Sequence, residues 1–339
     1  MPEAAAPRAA VVGADGFIGR ALTLALSSMG VQVDAYSRGR RLRRGPSVTP
    51  ALRDAQVIFY LASSVTPALG DAHPDWVAAD HARFAALLRG LARLDHPPAV
   101  VLSSSGGTVY DACVPPPYAE DAPLRATSLY AAAKIALEAE LAGHAGAVPG
   151  VVVRLGNVYG PGQHTARGYG VIAAWLHSAI QHGSIALIGD ACHTRDYVYI
   201  DDVTDCLCLL YRAITDGTAG GGRGPLILNV GSGRGASLGE IAGIVQDVLG
   251  RELLVQVRPA RRHDRPHVWL DCGRAERVLG WHARTCLRDG VLAMWRGLTS
   301  AQTCGDTGFR PVSEPAAPSS STLTPDPGAA GISVSARCI

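Results

Sequence analysis

No apolar run in this chain approaches the roughly 18 residues needed to cross a bilayer. No basic stretch leads into an apolar one at the amino end, where Val11 and Val12 run straight into glycines. No secretory leader is read there, and the cytoplasm is the expected compartment. Excess charge of either sign is missing too, since Lys and Arg number 31 against 29 Asp and Glu. That balance gives no support to a nucleic-acid or membrane-surface partner gripped by bulk charge. The 8 cysteines contain no CxxC pair. Cys206 and Cys208 fall two apart on an expected helix and so point different ways. Reduced, partly buried thiols are expected, and no metal site. There is no internal repeat.

What is present suits a folded, core-forming protein. The chain has 339 residues, 47% of them hydrophobic and 18% charged, enough for one large domain or two ordinary ones. Continuous apolar runs at 9–12, 57–62, 100–102 and 151–153 are the mark of parallel strands buried on both faces. Helical segments are expected at 20–29, 76–94 and 128–144, the second closed by Pro97-Pro98. Strands alternating with helices imply an α/β fold with a doubly wound parallel sheet of the Rossmann type. After Gly160 the segments shorten and mix, which suits a smaller α+β lobe over the strand ends. The expected division gives 1–155 to the dinucleotide domain, with a return to it at about 196–230. Residues 156–195 and 231–302 go to the smaller lobe, and 303–339, rich in Ser, Pro, Thr, Ala and Gly, to a disordered tail.

Three local patterns carry chemistry. Gly13-Ala14-Asp15-Gly16-Phe17-Ile18-Gly19 is a GxxGxxG turn between a strand and a helix. Its glycines suit a tight turn, close approach to a pyrophosphate and tight helix–sheet packing. The second strand ends in Tyr36-Ser37-Arg38, with Asp34 too early by strand alternation. A carboxylate at that end binds the ribose of NAD, whereas arginine accommodates the extra phosphate of NADP, so Ser37 and Arg38 lean towards tolerating NADP. Ser103-Ser104-Ser105-Gly106-Gly107 follows a strand directly, and Tyr130 and Lys134 share one face of the next helix at i and i+4. A lysine ammonium beside a phenol is expected to favour the phenolate and let the tyrosine trade protons.

Taken in order, these motifs resemble the extended short-chain dehydrogenase/reductases, specifically the NAD-dependent epimerase/dehydratase family of nucleotide-sugar enzymes. The resemblance covers about residues 9 to 296. It rests also on the 25 positions between Ser105 and Tyr130, on Arg154-Leu155-Gly156-Asn157-Val158-Tyr159-Gly160-Pro161-Gly162-Gln163 and on Thr194-Arg195-Asp196-Tyr197-Val198-Tyr199. Asn229-Val230-Gly231-Ser232-Gly233, and Arg261 with Asp264, complete it.

The resemblance implies roles. Tyr130 would be the acid/base on the sugar 4-hydroxyl. Lys134 would hold the nicotinamide ribose and lower the tyrosine pKa. Ser105, or Ser104 if the register shifts by one, would bond the same oxygen. Leu61 and Ala62 would lie beside the cofactor, expected to be NAD with NADP as the alternative. Asn157 would meet the nucleotide sugar, Arg195 and Arg261 would clamp its diphosphate, and Asp264 would orient an arginine or bind the nucleoside ribose. Tyr110 and Tyr159 are read as packing residues. Tyr60 and Asp80 stand where the family commonly has His and Asn, and the short arginine-rich stretch 38–56 leaves little room for a third strand. The expected activity is C4 epimerisation of a nucleotide-linked hexose, a UDP-hexose first. A reductase of a nucleotide-linked 4-keto sugar is the alternative, with a 4,6-dehydratase or a non-catalytic dinucleotide sensor behind it. A homodimer through the helices 76–94 and 128–144 is the expected assembly.

Overall fold

The structure, a computed structural model, describes residues 6–37, 39–45, 47–67, 70–163, 170–260 and 265–303. Arg38, Arg261, Asp264 and the expected tail beyond Thr303 therefore lie outside the described residues. The chain runs β1 (Arg8–Val12), α1 (Phe17–Ser28), β2 (Gln32–Tyr36), β3 (Arg43–Arg44), β4 (Ser47–Val48), α2 (Pro50–Arg53), β5 (Val57–Tyr60) and α3 (Pro74–Leu91). It continues through β6 (Ala99–Ser105), α4 (Leu129–Gly143), β7 (Gly150–Leu155), β8 (Asn157–Tyr159), α5 (Val171–His182), β9 (Ser184–Ile188), β10 (Thr194–Tyr199) and α6 (Ile200–Thr215). Then follow β11 (Leu226–Val230), β12 (Gly235–Ser237), α7 (Leu238–Leu249), β13 (Leu254–Arg258), β14 (His267–Val268), α8 (Gly273–Leu279) and α9 (Leu287–Thr303).

Six strands form one parallel sheet in the order β11-β7-β6-β5-β1-β2. This is the Rossmann-type α/β architecture. Alternation along each strand sends side chains to two separate cores. Ala9 and Val11 face the core shared with Leu22 and Leu26 of α1 and Val203, Leu207 and Leu210 of α6. Ala10 and Val12 face the core shared with Phe84 and Leu88 of α3 and Leu137 and Leu141 of α4. Strand β2 is the edge of this sheet, and the arginine-rich segment after it forms only the short β3–β4 ribbon.

The registers bring the functional segments together. Val12 lies beside both Tyr36 and Tyr60, Tyr60 beside Leu102, and Ser105 beside Leu155. The glycine turn after β1, the loop after β5 and the serines of β6 therefore share the carboxyl edge, where ligands sit in open α/β sheets. A second sheet, β12-β10-β14 with β8 paired to β10, begins immediately beyond that edge, because β7 and β8 are separated by Gly156 alone. Helix α4 opens at Ser128, whose hydroxyl accepts the Ala131 N–H at 3.2 Å. That cap fixes the helix start two residues ahead of Tyr130.

Candidate active site

The glycine turn is shaped by close approach. Gly13 has φ +94°, and a Cβ there would fall 2.8 Å from the Ala62 nitrogen. A Cβ on Gly19 would fall 2.1 Å from the Gly13 carbonyl oxygen, so only glycine lets α1 press this near the sheet. The Gly13 and Ala14 N–H groups donate to the Tyr36 carbonyl at 2.8 and 3.2 Å. Gly16 caps α1 without a side-chain hydrogen bond, and no acidic residue occupies the first turn. The N–H groups of Phe17, Ile18 and Gly19, at the positive end of the helix, have no partner within it, and the glycines at 13, 16 and 19 leave the backbone bare there, which fits the pyrophosphate of a dinucleotide.

At the neighbouring end of β2, Ser37 follows the buried Tyr36. The Asp34 carboxylate is engaged with Arg40 at 3.6 Å and Arg8 at 3.9 Å. The Arg40 guanidinium lies 4.0 Å over the Tyr36 ring. This end therefore offers a hydroxyl and a guanidinium rather than a free carboxylate. Leu61 and Ala62 are half-buried beside the glycine turn, the Leu61 N–H donating to the Val12 carbonyl at 2.8 Å.

The three serines of β6 separate by direction. Ser103 Oγ donates to the Tyr60 carbonyl at 3.3 Å, and Ser104 Oγ donates to Glu138 Oε1 at 2.5 Å. Ser105 lies beside the Tyr130 phenol, near enough to hold the phenol's pKa down. Ser105 thus sits with the tyrosine, and Ser104 faces the interior. Lys134 Nζ donates to the Ser103 carbonyl at 3.1 Å and lies 5.7 Å from the Tyr130 ring centre.

The electrostatics correct one expectation. Burial pushes the Tyr130 phenol up to about 12, with Ser105 as the opposing influence. Lys134 does not lower the tyrosine pKa in this state. Its ammonium is spent on the Ser103 carbonyl, and burial brings Lys134 itself down to about 8, against opposition from Asp80 and Glu138. A buried ammonium is disfavoured for the same reason as a buried phenolate, loss of water around the charge.

On the substrate side, Asn157 and Arg195 line one small cleft with Gly106, Gly107, Val268 and Leu270. Arg195 donates to the Thr194 carbonyl at 2.8 Å. Tyr110 and Tyr159 are buried, as expected of packing residues.

Sequence reasoning missed a buried polar network behind the site. Arg154, 2% exposed, forks onto Glu138, with Nη2–Oε2 at 2.7 Å and Nε within 3.2 Å of both oxygens. It also donates to the Tyr110 hydroxyl at 3.0 Å, which in turn donates to Asn229 Oδ1 at 2.6 Å. Glu138 was within reach of spacing arguments, because it lies four residues beyond Lys134 on the same helix face. Arg265 was missed as well. It is buried and donates to the Thr108 and Tyr110 carbonyls. Among the described residues no cluster of His, Cys, Asp and Glu could hold a metal.

A profile of the NAD dependent epimerase/dehydratase family matches residues 9–231. The chain belongs to that family. UDP-glucose 4-epimerase of Mycolicibacterium smegmatis is 32% identical over 308 residues, spanning 84% of this chain and 96% of that relative. The dTDP-6-deoxy-L-talose 4-dehydrogenase (NAD(P)(+)) of Kitasatospora kifunensis is 29% identical over 323 residues, spanning 88% and 98%. Among solved structures, MoeE5 in complex with UDP-glucose and NAD is similar with a TM-score of 0.74 at 26% identity, covering 87% of this chain and 99% of MoeE5. The protein is thus an NAD-dependent enzyme of the epimerase/dehydratase family, and the glycine cradle is the feature of its own structure that suits the cofactor. Among its described residues no helix is long and apolar enough to cross a membrane.

Proposed function

We propose that this enzyme epimerises a UDP-hexose at C4 through a transient 4-keto sugar. The observation that carries the reading is the convergence of Ser105, Tyr130 and Lys134 at the carboxyl edge of the sheet, beside a glycine turn fitted to a dinucleotide. When bound, NAD supplies the reversible two-electron oxidation of the sugar carbon. Gly13, Gly16, Phe17, Ile18 and Gly19 would hold its pyrophosphate, with Leu61 and Ala62 beside it. Tyr130 takes the proton from the sugar 4-oxygen and returns it. Ser105 hydrogen-bonds that oxygen and keeps the phenol aligned. Lys134, held by the Ser103 carbonyl at the foot of the site, would present its remaining ammonium protons to the nicotinamide ribose. Asn157 and Arg195 orient the nucleotide sugar, a task to which a guanidinium fork suits a diphosphate. A second copy of the chain pairs against α3 and α4, where Trp76 stands 47% exposed.

One observation favours a second reading. Ser37 and Arg40 at the end of β2, with no free carboxylate, suit a 2′-phosphorylated cofactor and hence a 4-keto-sugar reductase that consumes NADPH. One assay separates the two. Purified enzyme given UDP-galactose without added nucleotide is expected to yield UDP-glucose. Turnover of a 4-keto sugar only on supply of NADPH, with no interconversion of the two hexoses, would replace epimerase by reductase.

A further inference from the structure

Lys134 is the only lysine in the chain, so every permanently cationic side chain elsewhere in the protein is an arginine. An arginine stays protonated in any surroundings, whereas a buried lysine does not. The single position that keeps the titratable amine is 5% exposed. Something must hold a proton on it.

The groups facing Lys134 come from every element packed around it. On its own helix lie Tyr130, a neutral phenol, and Glu138. From β6 comes the Ser103 carbonyl, which accepts its hydrogen bond. From β7 comes Arg154, whose fork onto Glu138 neutralises that carboxylate inside the protein. From α3 come Asp80 and His81, which line one small cavity with Tyr130 and Lys134. The loop after β5 contributes the uncharged Ser63, with Ser64 held on Asp80.

Asp80 is the anion left to act. It is buried at 8% exposure and pinned by the Ser64 N–H at 2.6 Å and the Ser64 hydroxyl at 2.6 Å. Its ion-pair partner Arg83, at 2.9 Å, is 51% exposed, so water screens that cation far more than it screens Arg154. We propose that Asp80 is a positioning residue whose buried carboxylate keeps the sole lysine in its ammonium form and ties the loop after β5 to the site. Its influence on Lys134 is in the same direction as that of Glu138 and is the larger of the two.

The inference rests on Lys134 belonging to the reaction site, and its test does not depend on turnover. Enzyme grown on lysine carbon-13 labelled at Cε gives one lysine Cε signal, whose shift follows the protonation of Nζ. In Asp80→Asn the amide still accepts from the Ser64 N–H, so the tether persists and the charge is lost. The titration midpoint, near 8 in the native protein, is expected to fall by about half a pH unit or more. In Arg83→Gln, an exposed change that leaves the Asp80 carboxylate less compensated, it is expected to rise by about 0.3. A purely structural role would move both variants the same way or neither. A midpoint unmoved or raised in Asp80→Asn overturns the proposal. Should that variant not fold, an unmoved or lowered midpoint in Arg83→Gln overturns it alone. Full turnover by Lys134→Met would instead defeat the assignment of the lysine to the reaction and leave the electrostatic inference standing.

Discussion

Ser104 and Ser105 are neighbours on one strand and meet different residues of α4: Ser104 donates to the buried Glu138 carboxylate, and Ser105 meets the Tyr130 phenol. The two partners lie eight residues apart along that helix, Tyr130 at its start and Glu138 in its buried middle. Ser105→Ala is therefore expected to lower kcat by about a hundredfold with little change in melting temperature. Ser104→Ala strips a partner from a buried carboxylate and is expected to cost about 1–3 kcal/mol of stability with kcat nearly unchanged. Equal losses of kcat in the two variants would contradict the split.

The pH dependence follows from Lys134. Its ammonium is present below about 8 and is lost as pH rises through that value. A profile of kcat/KM, which reports groups of the free enzyme, is expected to fall on its alkaline side with a midpoint near 8. Stability moves the other way. The lysine titrates near 10.5 when unfolded and near 8 when folded, so the folded state binds fewer protons across that window. Unfolding free energy is expected to rise with pH between those values by roughly 3 kcal/mol. The comparison with Lys134→Met, which lacks this contribution, isolates it in urea titrations at pH 7.5 and 10.

Much of this architecture was legible in the sequence, for identifiable reasons. The apolar runs of β1, β5, β6 and β7 are buried on both faces, and that condition leaves a continuous hydrophobic signature. The GxxGxxG turn was readable because backbone approach at Gly13 and Gly19 admits no Cβ. The tyrosine and lysine were readable because helical spacing is fixed. Less legible were the interactions between segments far apart in the chain. Arg154 of β7 joins Glu138 of α4 and Tyr110 of the loop after β6, and Asp80 of α3 reaches Ser64 in the loop after β5. No local period records such pairs. The phenol's raised pKa is not legible in the sequence, because helical spacing shows the nearby cation and not the desolvation.

The Glu138–Arg154 pair carries its own prediction. Glu138→Ala leaves a guanidinium at 2% exposure without its carboxylate. Removing one partner of a buried pair typically costs about 3–5 kcal/mol. A correspondingly lower urea midpoint is expected, with Ser105 and Tyr130 untouched. A loss below about 1 kcal/mol would mean that water reaches the pair.

Cofactor choice is testable at Ser37. Without a carboxylate at the end of β2, discrimination against the 2′-phosphate is expected to be weak. Ser37→Asp is expected to weaken NADP binding by about tenfold or more while preserving or improving NAD binding, as measured by calorimetry on cofactor-stripped enzyme. Identical affinities before and after the change would remove Ser37 from the cofactor site.

The phenol of Tyr130 is the group on which the chemistry turns. The direct measurement is Tyr130→Phe, assayed for conversion of UDP-galactose to UDP-glucose and, in parallel, for UDP-sugar binding by calorimetry. The expected result is a fall in turnover of about a thousandfold with the dissociation constant within about threefold of native. Turnover near the native rate in that variant would contradict the account.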